Sequence, residues 1–189
     1  MKWHYLPNII TVLRFILVIP VIIFLLQQQY DRALWCFALA GASDALDGFL
    51  AKRYHWESRL GSILDPLADK FLLAAASLVL VWQNHLPLWL VILMVARDLM
   101  IVAGASCYHF LLARVELQPA LLSKINTFLQ ILLITAVIFD LALAWQLSGL
   151  TTFLVFLVAT STVVSGGEYI VKWGHLAVVQ WRSQREHRH

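Results

Sequence analysis

Long apolar runs alternate with short polar stretches along almost the whole chain. Hydropathy averaged over windows of about 19 residues predicts six segments, at 8–28, 32–52, 61–83, 86–112, 119–144 and 148–178. Each has the roughly 20 apolar residues that a helix needs to cross a bilayer. Backbone groups in hydrocarbon must hydrogen-bond within the protein, and the sequence has no alternating strands of about ten residues. The pattern therefore predicts an all-α fold, a polytopic membrane bundle of six transmembrane helices.

The composition excludes an ordinary soluble domain. Of 189 residues, 61% are hydrophobic and 13% are charged, whereas soluble domains average about 45–50% and about 25%. Disordered, collagenous and disulfide-stapled classes are excluded as well. We expect one membrane domain over 1–189, with an interfacial N-terminal segment at 1–7 and a polar cytoplasmic tail at 179–189.

Positive charge is concentrated on one side of the predicted membrane. The chain has 14 Lys and Arg against 11 Asp and Glu, and the net charge of +3 is too small to indicate a nucleic-acid partner. Ten of the 14 cations lie near the termini or in the connections after the second and fourth segments: Lys2, Lys52, Arg53, Arg59, Arg114, Lys124, Lys172, Arg182, Arg185 and Arg188. Cytoplasmic loops carry this excess, so we expect both termini in the cytoplasm, in the bacterial inner (plasma) membrane or its equivalent.

Four carboxylates fall within a window of 26 residues that is otherwise largely apolar. Asp44 and Asp47 are spaced i,i+3, and Asp65 and Asp69 are spaced i,i+4, so each pair projects from one face of its own helix. A central Asp costs about 2.5–3.5 kcal/mol on insertion scales, so four together indicate a function. The short connection between the two helices makes them antiparallel neighbours. We therefore expect the two pairs to face each other at the cytoplasmic membrane boundary.

These carboxylates suit metal-assisted phosphoryl transfer. They offer hard oxygen ligands for Mg²⁺, Mn²⁺ or Ca²⁺, and two such ions would neutralise a formal charge of −4. Gly48 and Gly61 leave room for a ligand beside the acids. One carboxylate could accept the proton of an attacking hydroxyl. A single Asp at a span end is usually a snorkelling or capping residue, and a carboxylate cluster can also serve a cation transporter, although transporters place it near the midplane and often show an inverted repeat.

The four acids belong to a longer motif, which resembles the signature of a known protein family. Asp44-x2-Asp47-Gly48-x2-Ala51-Lys52-x8-Gly61-x3-Asp65-x3-Asp69 resembles the signature of the CDP-alcohol phosphatidyltransferase family at every interval. The chain departs from the family pattern at Lys52, where Arg is usual, although Arg53 follows at once. The resemblance implies a six-helix membrane enzyme with a cytoplasmic active site that forms a homodimer in the lipid bilayer.

The resemblance also assigns roles to the matching residues. It implies that Asp44, Asp47 and Asp65 bind two divalent cations, Mg²⁺ or Mn²⁺, and that Asp69 lies close to the metals and acts as the general base. The positions that match the family's donor-binding residues are Asn8, Thr11, Gly48, Lys52 and Ser58. Read without the family, Asn8 could equally be a helix cap.

The expected reaction transfers a phosphatidyl group from CDP-diacylglycerol to a glycerol-type acceptor and releases CMP. Polar residues further along the chain are expected to bind the acceptor, namely Arg97, Lys124, Asn126 and Thr127. Arg97 beside Asp98 could equally form a structural ion pair.

Two acceptors remain open. Family members that use glycerol-3-phosphate tend to have a second lysine where this chain has Asn126, and four stretches look more like the cardiolipin synthases of the family: 37–41, 64–70, 97–100 and 123–127. We therefore favour phosphatidylglycerol as acceptor, which gives cardiolipin, over glycerol-3-phosphate, as in phosphatidylglycerophosphate synthases.

Two other classes of protein remain as alternatives to the enzyme. A transporter would carry ions without any nucleotide, and a purely structural membrane subunit would neither carry ions nor release CMP.

Overall fold

The computed structural model describes residues 6–54, 61–111 and 121–186, with side chains for 16–43, 69–104 and 121–172. This part of the chain forms six α-helices and confirms the all-α prediction: α1 (Leu6–Leu26), α2 (Tyr30–Tyr54), α3 (Gly61–Trp82), α4 (Leu88–Leu111), α5 (Leu121–Leu143) and α6 (Ser148–Glu186). The helix ends lie within two residues of the expected segments except at α6. That helix continues through most of the segment interpreted as a tail.

Two tight turns end α1 and α3 in the same way. The second residue after each helix, Gln28 or Asn84, adopts a left-handed backbone with φ of 57° or 63°. The Gln29 N–H donates to the Phe24 carbonyl at 2.9 Å, and the His85 N–H donates to the Leu80 carbonyl at 2.8 Å. This is the Schellman arrangement, which satisfies carbonyls that the helix end would leave without partners.

The connections at this end of the bundle also bind one another. The Tyr30 hydroxyl donates to Gln83 Oε1 at 3.3 Å, and Gln83 Nε2 donates to the Leu25 carbonyl at 2.6 Å. In the third connection, the Leu147 N–H donates to Asp140 Oδ1 at 2.8 Å. Hydrogen bonds between residues more than fifty positions apart therefore fix α1, α2 and α3 relative to one another.

The core lies where the six helices meet. Helix α1 packs against α2 and α3, α5 packs against α2, α3 and α6, and α4 packs against α3 and α6. Buried side chains from every helix form one apolar cluster, which includes Val21, Phe37, Leu80, Leu90, Ile134 and Val158. The outward faces of the same helices expose Leu, Ile, Phe, Val and Trp in large numbers. An apolar exterior of this extent is typical of a surface that contacts lipid.

Two helices are long and apolar enough to cross a membrane within the described residues. They are α5, over Leu121–Leu143, and the first part of α6, over Ser148–Lys172. In helix α1 the apolar stretch among the residues with described side chains is shorter, Ile16–Leu26. With 39 residues and a rise of about 1.5 Å per residue, α6 reaches well beyond a hydrocarbon core of about 30 Å.

Because consecutive helices run in opposite directions, the helix ends that are not joined by tight connections lie together at the other end of the bundle. The three tight connections lie at one end of the bundle, so the end of α2, the start of α3 and the start of α5 lie at the other. This second end carries the aspartate motif and the first turns of α5.

Candidate active site

The four motif aspartates lie on two helices at one end of the bundle. Asp44 and Asp47 lie in the last three turns of α2, and Asp65 and Asp69 lie in the first three turns of α3. The helical spacing expected for both pairs is therefore present. Asp69 is half-buried, and the other three side chains lie outside the described set. Their convergence on metal ions stays a prediction.

The predicted donor-binding residues are located by their backbone. Asn8 and Thr11 lie in the first two turns of α1, and Gly48 and Lys52 lie in the last two turns of α2. Ser58 falls outside the described residues. The proximity of these residues to one another and to the nucleotide stays a prediction.

A polar cluster surrounds Arg97 on α4, which is only 5% exposed. Its Nη1 donates to Asp98 Oδ1 at 2.7 Å. Its Nη2 donates to Ser123 Oγ on α5 at 2.8 Å and to Ser165 Oγ on α6 at 2.5 Å. The structure therefore contains the Arg97–Asp98 ion pair that the sequence left open, and it adds a hydroxyl from each of two further helices.

Asp98 links this cluster to α3. While Oδ1 accepts from Arg97, Oδ2 pairs with Lys70 Nζ. Lys70 directly follows Asp69, the expected general base. One carboxylate thus lies between two cations from neighbouring helices.

Asn126 lies on α5 one turn after Ser123 and is completely buried. Its Oδ1 lies 2.7 Å from Ser161 Oγ and 2.9 Å from Thr162 Oγ1, both on α6. Each hydroxyl also reaches the Val158 carbonyl, at 3.0 and 2.7 Å, and has a single proton to donate. In this structure Asn126 is a contact between α5 and α6, and its contact with the acceptor stays a prediction.

The other two predicted acceptor residues differ in exposure. Lys124 is exposed near the start of α5, whereas Thr127 is half-buried and donates its hydroxyl proton to the Ser123 carbonyl of the preceding turn at 3.1 Å. The start of α5 therefore presents a cation outward from the same turn that holds Ser123 against Arg97.

Sequence reasoning missed the contribution of α6. Ser165 is fully buried against Arg97, and the Tyr169 ring centroid lies 6.0 Å from Arg97 Cζ, within cation–π range. A line of hydroxyl residues at 161, 162 and 165 in an apolar helix was the available signal, because polar residues inside a membrane helix usually face the bundle interior. Glu168, unexplained by the sequence, pairs with Lys172 one turn away at 2.5 Å.

The donor chemistry of the site fits divalent cations. The motif supplies four carboxylates, which are oxygen ligands of the kind that Mg²⁺ and Mn²⁺ prefer. Among the side chains that the structure describes, no group of three or more His, Cys, Asp or Glu converges. Three of the four motif acids lie outside that set.

Comparison with known proteins identifies the family. The family model of the CDP-alcohol phosphatidyltransferases matches residues 4–179. The chain therefore belongs to the CDP-alcohol phosphatidyltransferase family, as the motif predicted.

Individual relatives fall into two named groups. The chain is 33% identical to a cardiolipin synthase (CMP-forming) / mitochondrial hydrolase fusion protein of Schizosaccharomyces pombe, over 88% of this chain and 30% of the relative. It is 34% identical to the cardiolipin synthase (CMP-forming) of Rattus norvegicus, over 69% of this chain and 49% of the relative. It is 33% identical to a chloroplastic CDP-diacylglycerol–glycerol-3-phosphate 3-phosphatidyltransferase of Oryza sativa, over 89% of this chain and 56% of the relative. The chain thus spans between about a third and just over half of the length of these relatives.

Proposed function

We propose that the protein is a phosphatidyltransferase that moves a phosphatidyl group from CDP-diacylglycerol to a glycerol-type acceptor and releases CMP. The observation that carries this proposal is the placement of all four motif aspartates, at helical i,i+3 and i,i+4 spacing, at one end of a six-helix bundle. Family membership supports the same reaction class. The matched relatives are named for reactions of this kind.

Each motif residue has a task in this reaction. Asp44, Asp47 and Asp65 would hold two divalent cations, which when bound would neutralise charge on the pyrophosphate of the donor. Asp69 would accept the proton of the acceptor hydroxyl as the new oxygen–phosphorus bond forms. The bond from phosphorus to the CMP oxygen breaks in the same step, and CMP leaves with the electron pair. Gly48, Lys52, Ser58, Asn8 and Thr11 would bind the donor.

The acceptor side of the site is proposed around Arg97. Its guanidinium is held by three described partners, yet its Nε–H has none among the described residues and is buried. An acceptor phosphate oxygen would supply the missing partner, because a buried guanidinium N–H without an acceptor is unfavourable. Lys124, Asn126 and Thr127 on α5 complete the proposed acceptor set.

We favour phosphatidylglycerol as the acceptor. The neutral Asn126 leaves this side with one cation fewer than a lysine would supply, which suits the single negative charge of a phosphodiester better than a dianionic phosphate monoester. Relatives named cardiolipin synthase support this choice. Glycerol-3-phosphate is the second candidate, because another relative of similar identity is named for that acceptor.

We further propose six transmembrane helices, with both termini on the cytoplasmic side of a bacterial inner membrane or its equivalent, and a homodimer. The apolar exterior of the bundle and the two helices long enough to span support membrane insertion. The aspartates near helix ends favour an enzyme at the membrane boundary over a cation transporter, which would carry its acids near the midplane.

Product analysis tests the proposed function. Purified protein is incubated with CDP-diacylglycerol and Mg²⁺ or Mn²⁺, and phosphatidylglycerol and glycerol-3-phosphate are offered in separate reactions. The products are identified by mass spectrometry. We expect cardiolipin and CMP. Formation of phosphatidylglycerophosphate would show that the second candidate, glycerol-3-phosphate, is the acceptor. If neither acceptor gives metal-dependent release of CMP, the proposed enzymatic function is refuted.

Asp69→Asn tests the general base within the same assay. The substitution keeps the size of the side chain but removes its capacity to accept a proton, so kcat should fall by about 10²-fold or more. Asp140→Asn is the matched control, because Asp140 is a half-buried carboxylate on α5 at the opposite end of the bundle. Equal rates for wild type and Asp69→Asn would remove Asp69 from the catalytic role.

A further inference from the structure

The carboxylate of Asp98 connects the two halves of the proposed site. Lys70 on α3 and Arg97 on α4 bind different oxygens of this single side chain. Ser123 and Ser165 fix the far side of the same guanidinium from α5 and α6. Four helices therefore meet at one ionic cluster.

We propose that Asp98 is a positioning residue, which sets the helix of the general base against the acceptor side of the site. This inference rests on the proposed function. Lys70 is the residue after Asp69, so a contact that holds Lys70 also fixes the turn of α3 that carries the base. Arg97, on the other side of Asp98, is the centre of the proposed acceptor side.

Burial makes this contact restrictive. Arg97 is 5% exposed, and a buried guanidinium with three partners has little freedom to change its position. The Asp98 side chain is 21% exposed, and the Lys70 side chain is 36% exposed overall although its Nζ is buried, so the charged atoms of both residues are largely shielded from water. Loss of the carboxylate would leave two cations facing each other without an anion between them. They would separate, and the turn that carries Asp69 would move with Lys70.

Kinetics distinguish positioning from a general structural role. In Asp98→Asn we expect kcat to fall about 10- to 100-fold, because small displacements of reacting groups have effects of this size. The KM for the acceptor should rise with it, whereas the KM for CDP-diacylglycerol should stay within about twofold of wild type, because Asp98 is not among the proposed donor-binding residues. General destabilisation of the fold would instead raise the KM for both substrates alike.

A second pair of variants changes the same contact from the α3 side. Lys70→Met removes the cation and should reproduce the kinetic pattern of Asp98→Asn, while Lys70→Arg keeps the charge and should retain most of the activity. This pair tests the proposal even if Asp98→Asn does not fold. Asp140→Asn, the same chemical change far from the cluster, should leave both KM values and kcat unchanged.

The outcomes separate the two proposals. Wild-type protein without CMP formation from either acceptor would refute the proposed function and the positioning role together. Active wild type with unchanged kinetics in Asp98→Asn and Lys70→Met would overturn the positioning role alone. A parallel rise in KM for donor and acceptor would do the same.

Discussion

At the scale of single residues, the energetics of the site depend on how Arg97 is accommodated. Burying a guanidinium is costly unless its charge and most of its N–H groups find partners. Asp98 supplies the charge, and Ser123 and Ser165 supply acceptors for Nη2. Ser165 is fully buried, so water cannot replace its hydroxyl if that group is removed.

Ser165→Ala should therefore destabilise the protein measurably. The substitution leaves one N–H of a buried, charged guanidinium without an acceptor, and the expected loss in unfolding free energy is about 1–3 kcal/mol. Unfolding in detergent, followed by circular dichroism at fixed protein concentration, measures the difference from wild type.

Ser77→Ala is the matched control for this variant. Ser77 is also buried in a helix, but its hydroxyl donates to the Ala74 carbonyl of its own helix at 2.9 Å. Such back-bonds contribute little, so the control should change stability by less than about 1 kcal/mol. Equal losses in the two variants would show that the contact of Ser165 with Arg97 does not stabilise the fold.

The sequence identified Arg97 as a candidate but not the way it is held. A charge inside an apolar run is visible from composition alone. Its partner Ser123 lies 26 positions away and Ser165 lies 68 positions away, and only the packing of α4, α5 and α6 brings them together. The buried position of Asn126 was hidden for the same reason, because a polar residue near a helix start can face either a ligand or a neighbouring helix.

At the scale of helices, the connections determine how tightly the bundle can close. Gln28 follows α1 with φ of 57°, a left-handed conformation that strains residues with a Cβ atom. The turn keeps this conformation because the two Schellman hydrogen bonds, at 3.0 and 2.9 Å, require it. The stability of the connection therefore includes a local strain that glycine would not have.

Gln28→Gly should stabilise the protein. Glycine adopts the left-handed conformation without steric strain, and the exposed Gln28 side chain is not needed for the turn, so we expect a gain of about 0.5–1 kcal/mol. Detergent unfolding again provides the measurement. Gln27→Gly, one position earlier and outside the left-handed conformation, should lower stability or leave it unchanged. A stabilising effect in both variants would contradict the argument from φ.

Helix positions were predictable because apolar run length determines them, while the turns were not. Glycine is the usual signal for a left-handed helix end, and neither Gln28 nor Ala144 carries that signal. The extension of α6 to Glu186 was missed because its last turns are polar, and hydropathy does not detect a helix that leaves the apolar region.

At the scale of the whole molecule, the two ends of the bundle differ in charge. The tight connections at 27–29, 83–87 and 144–147 contain no Lys or Arg, whereas the described helix ends on the motif side carry Lys52, Arg53, Lys124, Arg182 and Arg185. Cationic loops are retained in the cytoplasm during insertion. The motif end, with the proposed active site, should therefore face the cytoplasm, where CDP-linked donors and divalent cations could reach it.

Cysteine labelling in intact bacterial cells tests this orientation. In a background with Cys36 and Cys107 replaced by Ala, Gln27→Cys places a thiol at an exposed position in the first connection, and Gln184→Cys places one near the end of α6. A membrane-impermeant maleimide should label position 27 at once and position 184 only after permeabilisation, because the cations near the motif end hold that end inside. The reverse order, or labelling of both thiols before permeabilisation, would contradict the charge argument and with it a cytoplasmic active site.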